Sequence, residues 1–155
     1  MIKSITLFVI TLFSFSVASA QVKLEKIKGS KIVTISLKEV EEFEQVEIEE
    51  FLDVYFVKGA KTSIEIEADD NLHDIISYKV VGKTLKLTAL KQPVGEKKMA
   101  IRVNYNDSLK TIIARHDSKI NAIADIILAN ITVKNFDKSQ SFLNVKSTNF
   151  TLILT

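Results

Sequence analysis

Apolar and polar residues alternate one by one through much of the first two-thirds of the chain. In one segment Val33, Ile35 and Leu37 alternate with Thr34 and Ser36. The same period recurs around Val46, Val54, Ile64, Leu85 and Ile101. Successive side chains of a strand point to opposite faces, so this period predicts a series of half-buried β-strands, each with one apolar face.

The breaks in this alternation predict turns. Lys58-Gly59-Ala60-Lys61 and Val81-Gly82-Lys83 each separate two strand-like segments and indicate hairpins. The segment 69–76 is the one place where a helical turn is expected, with Asp or Asn as its cap. We therefore predict that residues 31–105 form antiparallel strands.

A repeat of about twenty residues replaces the simple alternation after Tyr105. A threonine precedes an apolar residue at Thr111, Thr132 and Thr151, and Asn130 and Asn149 each stand two residues before their threonine. Strands recurring at a fixed period of this length are typical of coils that stack turn upon turn, about 4.8 Å apart. Residues 106–155 are thus predicted to form a short parallel β-helix, or solenoid.

Within these repeats, one segment has a competing interpretation. The apolar residues of 118–130 also match a helical period, but the flanking repeats favour short strands joined by corners. Asp117 and Asp137 are 20 residues apart and are expected to stack at corners, while Asn130 and Asn149 are expected to form a ladder. The ladder also accounts for two Asn-x-Thr sequences that match a glycosylation pattern.

The first twenty residues have the pattern of a secretory signal peptide. Lys3 lies in a short positive segment, an apolar stretch follows to Val17, and Ala18-Ser19-Ala20 supplies small residues for cleavage before Gln21. The apolar stretch is shorter than the roughly 20 residues that a membrane span needs. We predict a signal peptide at 1–20 and one exported domain at 21–155, which is not an integral membrane protein after cleavage.

Composition excludes several classes of function. The chain has no cysteine, so disulfides, thiolate metal sites and a cysteine nucleophile are absent. A formal net charge of +2 offers no electrostatic footprint for nucleic acid. The only histidines, His73 and His116, lack zinc-ligand spacing, and no Gly-x-Ser-x-Gly sequence is present.

The remaining candidates for chemistry are acidic and aromatic side chains. Eight carboxylates lie close together and could be either a calcium site or a solvated strand surface, which we favour: Glu39, Glu41, Glu42, Glu44, Glu47, Glu49, Glu50 and Asp53. Five aromatic residues could form a sugar platform if several are exposed: Tyr55, Tyr78, Tyr105, Phe136 and Phe142. We expect no catalytic residue, no cofactor and no metal site.

Four stretches, taken in order, resemble the GIN domain, a head domain of auto-transporter adhesins in exported bacterial proteins. They are EQVEI at 44–48 followed by LDVYFVKG at 52–59, IEIEADDNL at 64–72, YKVVGKTLKL at 78–87, and the repeats after Leu109. The resemblance covers about Ile32 to the C-terminus. It implies an all-β fold with a right-handed β-helix-like core, a location in the envelope or at the surface, and an adhesive role. The chain departs from the family pattern, whose corners tend to be rich in glycine and serine, because its own corners carry Arg115-His116-Asp117 and Asn135-Phe136-Asp137.

These observations lead to one main prediction of function and two alternatives. The chain is predicted to be an exported, non-enzymatic binding or adhesion module at the surface or in the periplasm, with glycans or surface proteins as partners. The alternatives are a carbohydrate-active β-helix protein and a self-assembling structural envelope protein. Because the last repeat is apolar and its edge is open, we also predict self-association through Phe150, Leu152, Ile153 and Leu154.

Overall fold

A computed structural model describes residues 23–155, and the predicted signal peptide lies outside these residues. The described chain is all-β apart from one 3₁₀ turn, η1, at Asp70–Ile75. The strands are β1 Lys26–Lys28, β2 Val33–Glu39, β3 Gln45–Glu49, β4 Asp53–Lys58, β5 Ser63–Asp69, β6 Ile76–Val81, β7 Thr84–Ala89, β8 Gln92–Val94, β9 Met99–Tyr105, β10 Thr111–Ala114, β11 Lys119–Ala122, β12 Ile126–Ile127, β13 Asn130–Asn135, β14 Gln140–Phe142, β15 Val145–Lys146 and β16 Asn149–Leu154.

Two six-stranded sheets form the body of the fold. The first has the order β16-β13-β10-β3-β7-β6, and the second has the order β14-β11-β4-β9-β5-β2. Two small two-stranded sheets, β1-β8 and β12-β15, accompany them. The inward side chains of both large sheets belong to one apolar cluster, which includes Ile48, Phe56 and Ile112.

The twenty-residue repeat corresponds to parallel strands in register. Thr111 lies level with Thr132, and Thr132 lies level with Thr151. The parallel pairs β11-β14 and β12-β15 follow the same repeat on the other sides. Equivalent inward residues therefore stack in columns, and one column runs from Val46 through Ile112 and Val133 to Leu152.

The prediction of antiparallel strands throughout 31–105 is wrong for β3, β4 and β8, which make parallel pairs only. Although β2, β5, β6 and β7 make antiparallel pairs, β3 pairs with β7 and β4 pairs with β9 in parallel. The predicted hairpin at Lys58-Gly59-Ala60-Lys61 is also wrong, because β9 lies between β4 and β5 in the sheet. Alternation reveals a half-buried strand but not the direction of its neighbour, so these pairings required the tertiary structure.

Other local predictions are confirmed. The turn at Gly82 joins the antiparallel pair β6-β7, and Gly82 has a positive φ of 62°, which a glycine adopts without strain. Residues 118–130 contain β11 and β12 rather than a helix. The expected helical turn is present as η1.

The apolar face of β2 points outward. As the edge strand of the second sheet, β2 is aligned by β5 so that Ile35 and Leu37 lie level with Glu67 and Glu65. Their exposed fractions are 67% and 63%. The alternation identified the strand correctly, but its apolar residues do not belong to the core.

The buried carboxylate of Asp69 joins three parts of the chain. Asp69 is fully buried and does not cap η1 with its side chain. Instead it accepts hydrogen bonds from the backbone N–H of Lys31 at 2.8 Å, of Lys97 at 3.1 Å and of Lys98 at 3.0 Å. A Cβ on Gly29 would lie 2.3 Å from Asp69 Oδ2, so only glycine permits this approach.

The 3₁₀ turn η1 is the one helical element among residues 23–155. None of this part of the chain forms a helix long and apolar enough to cross a membrane.

Candidate functional site

Among residues 23–155, strands β14, β15 and β16 each lie at the end of their sheet, and we call these three strands the open turn. The inward side chains of β16 lie level with those of β13: Phe150 with Ile131 and Leu152 with Val133. The β13 residues are buried, whereas Phe150 and Leu152 are 49% and 50% exposed. The apolar column thus continues into the open turn, where its side chains are about half-exposed to solvent.

The open turn carries a shallow apolar depression of about 300 Å³. It is lined by Val133, Ser141, Leu143, Val145, Phe150 and Leu152. Of the four predicted self-association residues, Phe150 and Leu152 line this depression. Leu154 follows on the same face of β16, and Ile153 lies on the outer face level with Lys134. Exposed apolar side chains at the end of such a column can pack against another protein surface.

The edge of β16 lacks the features that usually prevent strands from pairing. Among residues 23–155, only β13 pairs with β16, so one side of the strand has free N–H and C=O groups. Residues 149–155 include no charged side chain and no proline. Natural edge strands are usually protected by such residues, so this edge can accept a further strand.

The asparagine pair lies beside the open turn. Asn130 and Asn149 are level in the parallel register, and Asn149 Nδ2 donates a hydrogen bond to Asn130 Oδ1 at 2.8 Å. Both side chains are exposed. This contact supports the parallel alignment of β16 on β13.

The corner residues stack with a different partner from the one that the spacing predicts. The repeat here is 21 residues, so Asp137 lies level with His116, and Asp117 lies one residue further along. His116 Nε2 is 3.9 Å from Asp137 Oδ2, and His116 Nδ1 is 2.9 Å from Glu50 Oε1. Glu50, His116 and Asp137 all have positive φ, between 54° and 58°, which marks them as equivalent corners.

The acidic run is distributed among separate partners. Glu42 accepts hydrogen bonds from Asn106 and Ser108, which lower the pKa of its carboxyl. A hydrogen bond from Lys110, together with its charge, lowers the pKa of Glu44. Within residues 23–155 no three acidic or histidine side chains are grouped so that they could hold a metal ion.

The five aromatic candidates do not form one platform. Tyr105 is buried in the core, and the Phe136 ring packs under Arg115, whose guanidinium carbon is 4.3 Å from the ring centre. Tyr78 is 37% exposed on β6, at the far edge of the first sheet. Tyr55 and Phe142 alone share a surface, because both belong to the outer face of the second sheet.

The outer face of the second sheet carries a groove that the sequence did not reveal. It has a volume of about 250 Å³ and is lined by Tyr55, Glu65, Glu67, Lys98, Ala100, Arg102 and Ile123. We call it the tyrosine groove. Its residues come from strands and turns that are distant in sequence, so they could be grouped only once the strand order and register were known.

Solved structures share this fold. A "putative adhesin" from Parabacteroides merdae has a TM-score of 0.70 at 16% identity, with 84% of this chain and 55% of that chain covered. A "putative adhesin" from Bacteroides fragilis has a TM-score of 0.63 at 22% identity, with 81% and 57% covered. A "putative lipid binding protein" from Parabacteroides distasonis has a TM-score of 0.62 at 12% identity, with 83% and 63% covered.

The present chain thus spans somewhat more than half the length of these proteins, and such low identities show a common fold alone. No functionally curated protein matches the sequence. The model of one family, described as "Putative auto-transporter adhesin, head GIN domain", matches residues 42–154. This match extends over most of the sequence and confirms the resemblance, so the chain belongs to the GIN domain family.

Proposed function

We propose that this chain is an exported, non-enzymatic binding and adhesion module of the cell surface or periplasm, and that it associates with a second copy of itself through the open turn. The family description and the solved adhesin-like structures support the binding role. The observation that carries the self-association is the uncharged, apolar strand β16 with one free edge.

We further infer that the stacked strands are turns of a short right-handed parallel β-helix. The parallel registers β3-β10-β13-β16 and β4-β11-β14 support this description. The handedness follows from the family resemblance. In such a stack each turn covers the apolar interior of the previous one, which explains why the open turn is the place where the interior meets water.

The exposed column end supplies a driving force for pairing. Fully burying a Leu or Phe side chain contributes about 1.5–3 kcal/mol, and Phe150 and Leu152 are each already about half-buried. Two copies would together cover four such side chains and form new strand hydrogen bonds. The side-chain burial, about 3–6 kcal/mol in all, is comparable with an association cost of at least about 4 kcal/mol, so the strand hydrogen bonds decide the balance and we expect a weak, concentration-dependent dimer.

A second copy fits this surface because the surface is complementary to itself. Two β16 strands can pair in antiparallel fashion about a two-fold axis, so that the same patch is used by both copies. Because residues 149–155 have no charged side chain, the side chains of two such strands meet without charge repulsion. Such a contact closes as a dimer, whereas a structural envelope protein would need contacts that continue into a filament.

The oligomeric state of the exported protein, measured by sedimentation velocity across a concentration series, tests the proposal. We expect a monomer–dimer equilibrium that Leu152→Lys shifts fully to monomer, because a lysine placed in the apolar contact must lose its hydration. Leu37→Lys is the matched control, since Leu37 is 63% exposed on the edge strand at the other end of the second sheet.

A protein that remains monomeric up to millimolar concentration would refute self-association. So would a dimer that persists in Leu152→Lys. The location is tested separately, by fractionating the cells that export the protein and exposing intact cells to protease.

A further inference from the structure

One row of side chains crosses the outer face of the second sheet without a break. The cross-strand registers place the following residues level with their neighbours, in order: Leu37, Glu65, Arg102, Tyr55, Asn121 and Phe142. The row begins and ends with an exposed apolar side chain and has polar groups and a tyrosine ring in its middle. Level residues on adjacent strands are close enough to act on one ligand.

The tyrosine groove lies beside the middle of this row. Ala100 lies level with Glu67, and this pair is two residues along the strands from Arg102 and Glu65, on the same face. Because the side chain of Ala100 is small, the surface of the sheet is recessed there. Tyr55 and Arg102 also line the groove, and Ile123, which is 56% exposed, adds an apolar side chain to its lining. A groove of about 250 Å³ that is this shallow suits a ligand lying along the sheet rather than one enclosed by it.

The charges of the groove neutralise one another. Arg102 forms an ion pair with Glu65 at 2.5 Å, and Lys98 forms one with Glu67 at 3.4 Å. Two cations therefore face two anions. A charged ligand would have to displace one partner of each pair, whereas hydroxyl groups can donate to the carboxylates and accept from the cations while the pairs remain intact.

The orientation of Tyr55 is set by Asp53, which lies two residues before it on the same strand. Its hydroxyl donates to Asp53 Oδ2 at 3.2 Å, and Asn121 Nδ2 donates to Asp53 Oδ1 at 2.6 Å. Asp53 thereby holds both the ring and the amide in place. A fixed aromatic ring surrounded by hydrogen-bonding groups offers an apolar surface and polar contacts to the same ligand.

We propose that the tyrosine groove binds a neutral oligosaccharide, with the Tyr55 ring against an apolar sugar face and the groups of Arg102, Glu65 and Glu67 bonded to its hydroxyls. Phe142 lies two strands from Tyr55, or about 10 Å. Phe142 lies outside the groove lining, so a ligand that contacts both aromatic rings must consist of several linked units. The inference rests on the proposed role as a surface binding module but uses a different face from the open turn.

A second groove provides an internal comparison. It lies on the first sheet, has a volume of about 220 Å³, and is lined by Glu47, Glu49, Ser77, Lys79, Lys86, Leu87 and Thr88. It has similar charged groups and no aromatic ring. We therefore expect binding at the tyrosine groove and none at this second groove. Such a result would show that binding needs the aromatic ring and not merely the charged groups of a sheet.

The test is titration calorimetry of the exported protein with four neutral probes and one acidic probe. The neutral probes are cellohexaose, xylohexaose, laminarihexaose and chitohexaose, and the acidic probe is a galacturonate hexamer. We expect saturable binding of at least one neutral probe, which Tyr55→Leu weakens by about tenfold or more through loss of the ring. Arg102→Gln and Phe142→Ala should also weaken it, and both positions are exposed, so these variants should fold.

Tyr78→Leu and Lys79→Ala are the matched controls, because they remove an exposed ring and a cation from the first sheet. Neither should change the affinity. The proposal is overturned if no neutral probe binds, if only the acidic probe binds, or if the Tyr55, Arg102 and Phe142 variants bind as the controls do. Sedimentation of the same variants distinguishes this failure from failure of the proposed self-association, since Tyr55→Leu should leave the dimer unchanged.

Discussion

A single buried carboxylate shows how far the role of one residue depends on its neighbours. Asp69 precedes a helical turn and has the sequence context of a cap, but its side chain bonds to the backbone of Lys31, Lys97 and Lys98. Burial by itself would raise the pKa of Asp69, but these three hydrogen bonds favour the charged form and hold the pKa below its usual range. The sequence shows an aspartate before a helical turn. Its hydrogen bonds could not be predicted, because they form only when the segments around Lys31 and Lys97 meet at Asp69 in the fold.

The pKa of Asp69 leads to a prediction about acid stability. Because its pKa is lowered in the folded state, the ionised carboxylate stabilises the fold above the ordinary aspartate pKa of about 3.9, and this stabilisation is lost as the pH falls through the folded value. Asp69→Asn should therefore lower the unfolding temperature clearly at pH 7, and the difference from wild type should narrow below about pH 4. Thermal unfolding followed by circular dichroism at several pH values measures both.

Asp74→Asn is the control for this experiment. It removes the same charge from the same turn, but Asp74 is exposed. It should change the unfolding temperature little at any pH. A difference between Asp69→Asn and wild type that is equally large at pH 3 and pH 7 would contradict the role assigned to the ionised carboxylate.

At the scale of the strand, the same sequence pattern contributes differently to stability at different positions in the sheet. β10 and β16 carry the same threonine-apolar repeat, and Ile112 and Leu152 belong to one inward column. Ile112 is fully buried between neighbouring turns, whereas Leu152 is half-exposed on the open turn. Periodicity predicts that both residues point inward, but only the position of each strand in the stack decides how much water each excludes.

This difference predicts unequal losses of stability. Ile112→Ala should reduce the free energy of unfolding by about 3 kcal/mol, because it removes buried methyl groups and leaves a cavity. Leu152→Ala should cost less than about 1.5 kcal/mol, because half of the side chain is already in water. Urea unfolding at submicromolar protein concentration, where a second copy does not cover β16, measures both. Equal losses would show that the open turn is covered in solution.

At the scale of the whole molecule, the described domain and the predicted export segment meet near Gln21. The first described residue is Lys23, and β1 begins at Lys26. Cleavage after Ala20 would therefore leave the domain intact.

We predict that the exported protein begins at Gln21, which intact-mass spectrometry of the purified protein would establish. Ala20→Arg should block cleavage and leave the precursor, because signal peptidase requires a small residue at this position. Ser19→Arg is the matched control, since the middle position of the Ala-x-Ala pattern tolerates larger residues. A mature protein that begins elsewhere, or normal processing of Ala20→Arg, would contradict the predicted cleavage site.

The sequence by itself determined the strand class, the turn at Gly82, the threonine register of β10, β13 and β16, and the family. These features depend on local periodicity, on the conformational freedom of glycine, and on repeats that are visible along the chain. Tertiary structure alone decided that β3 and β4 make parallel pairs, that Ile35 and Leu37 face water, and that Tyr55 and Arg102 border one groove. The physical reason is that strand order and register bring together residues far apart in sequence, and a half-buried strand has the same period whichever neighbours it has.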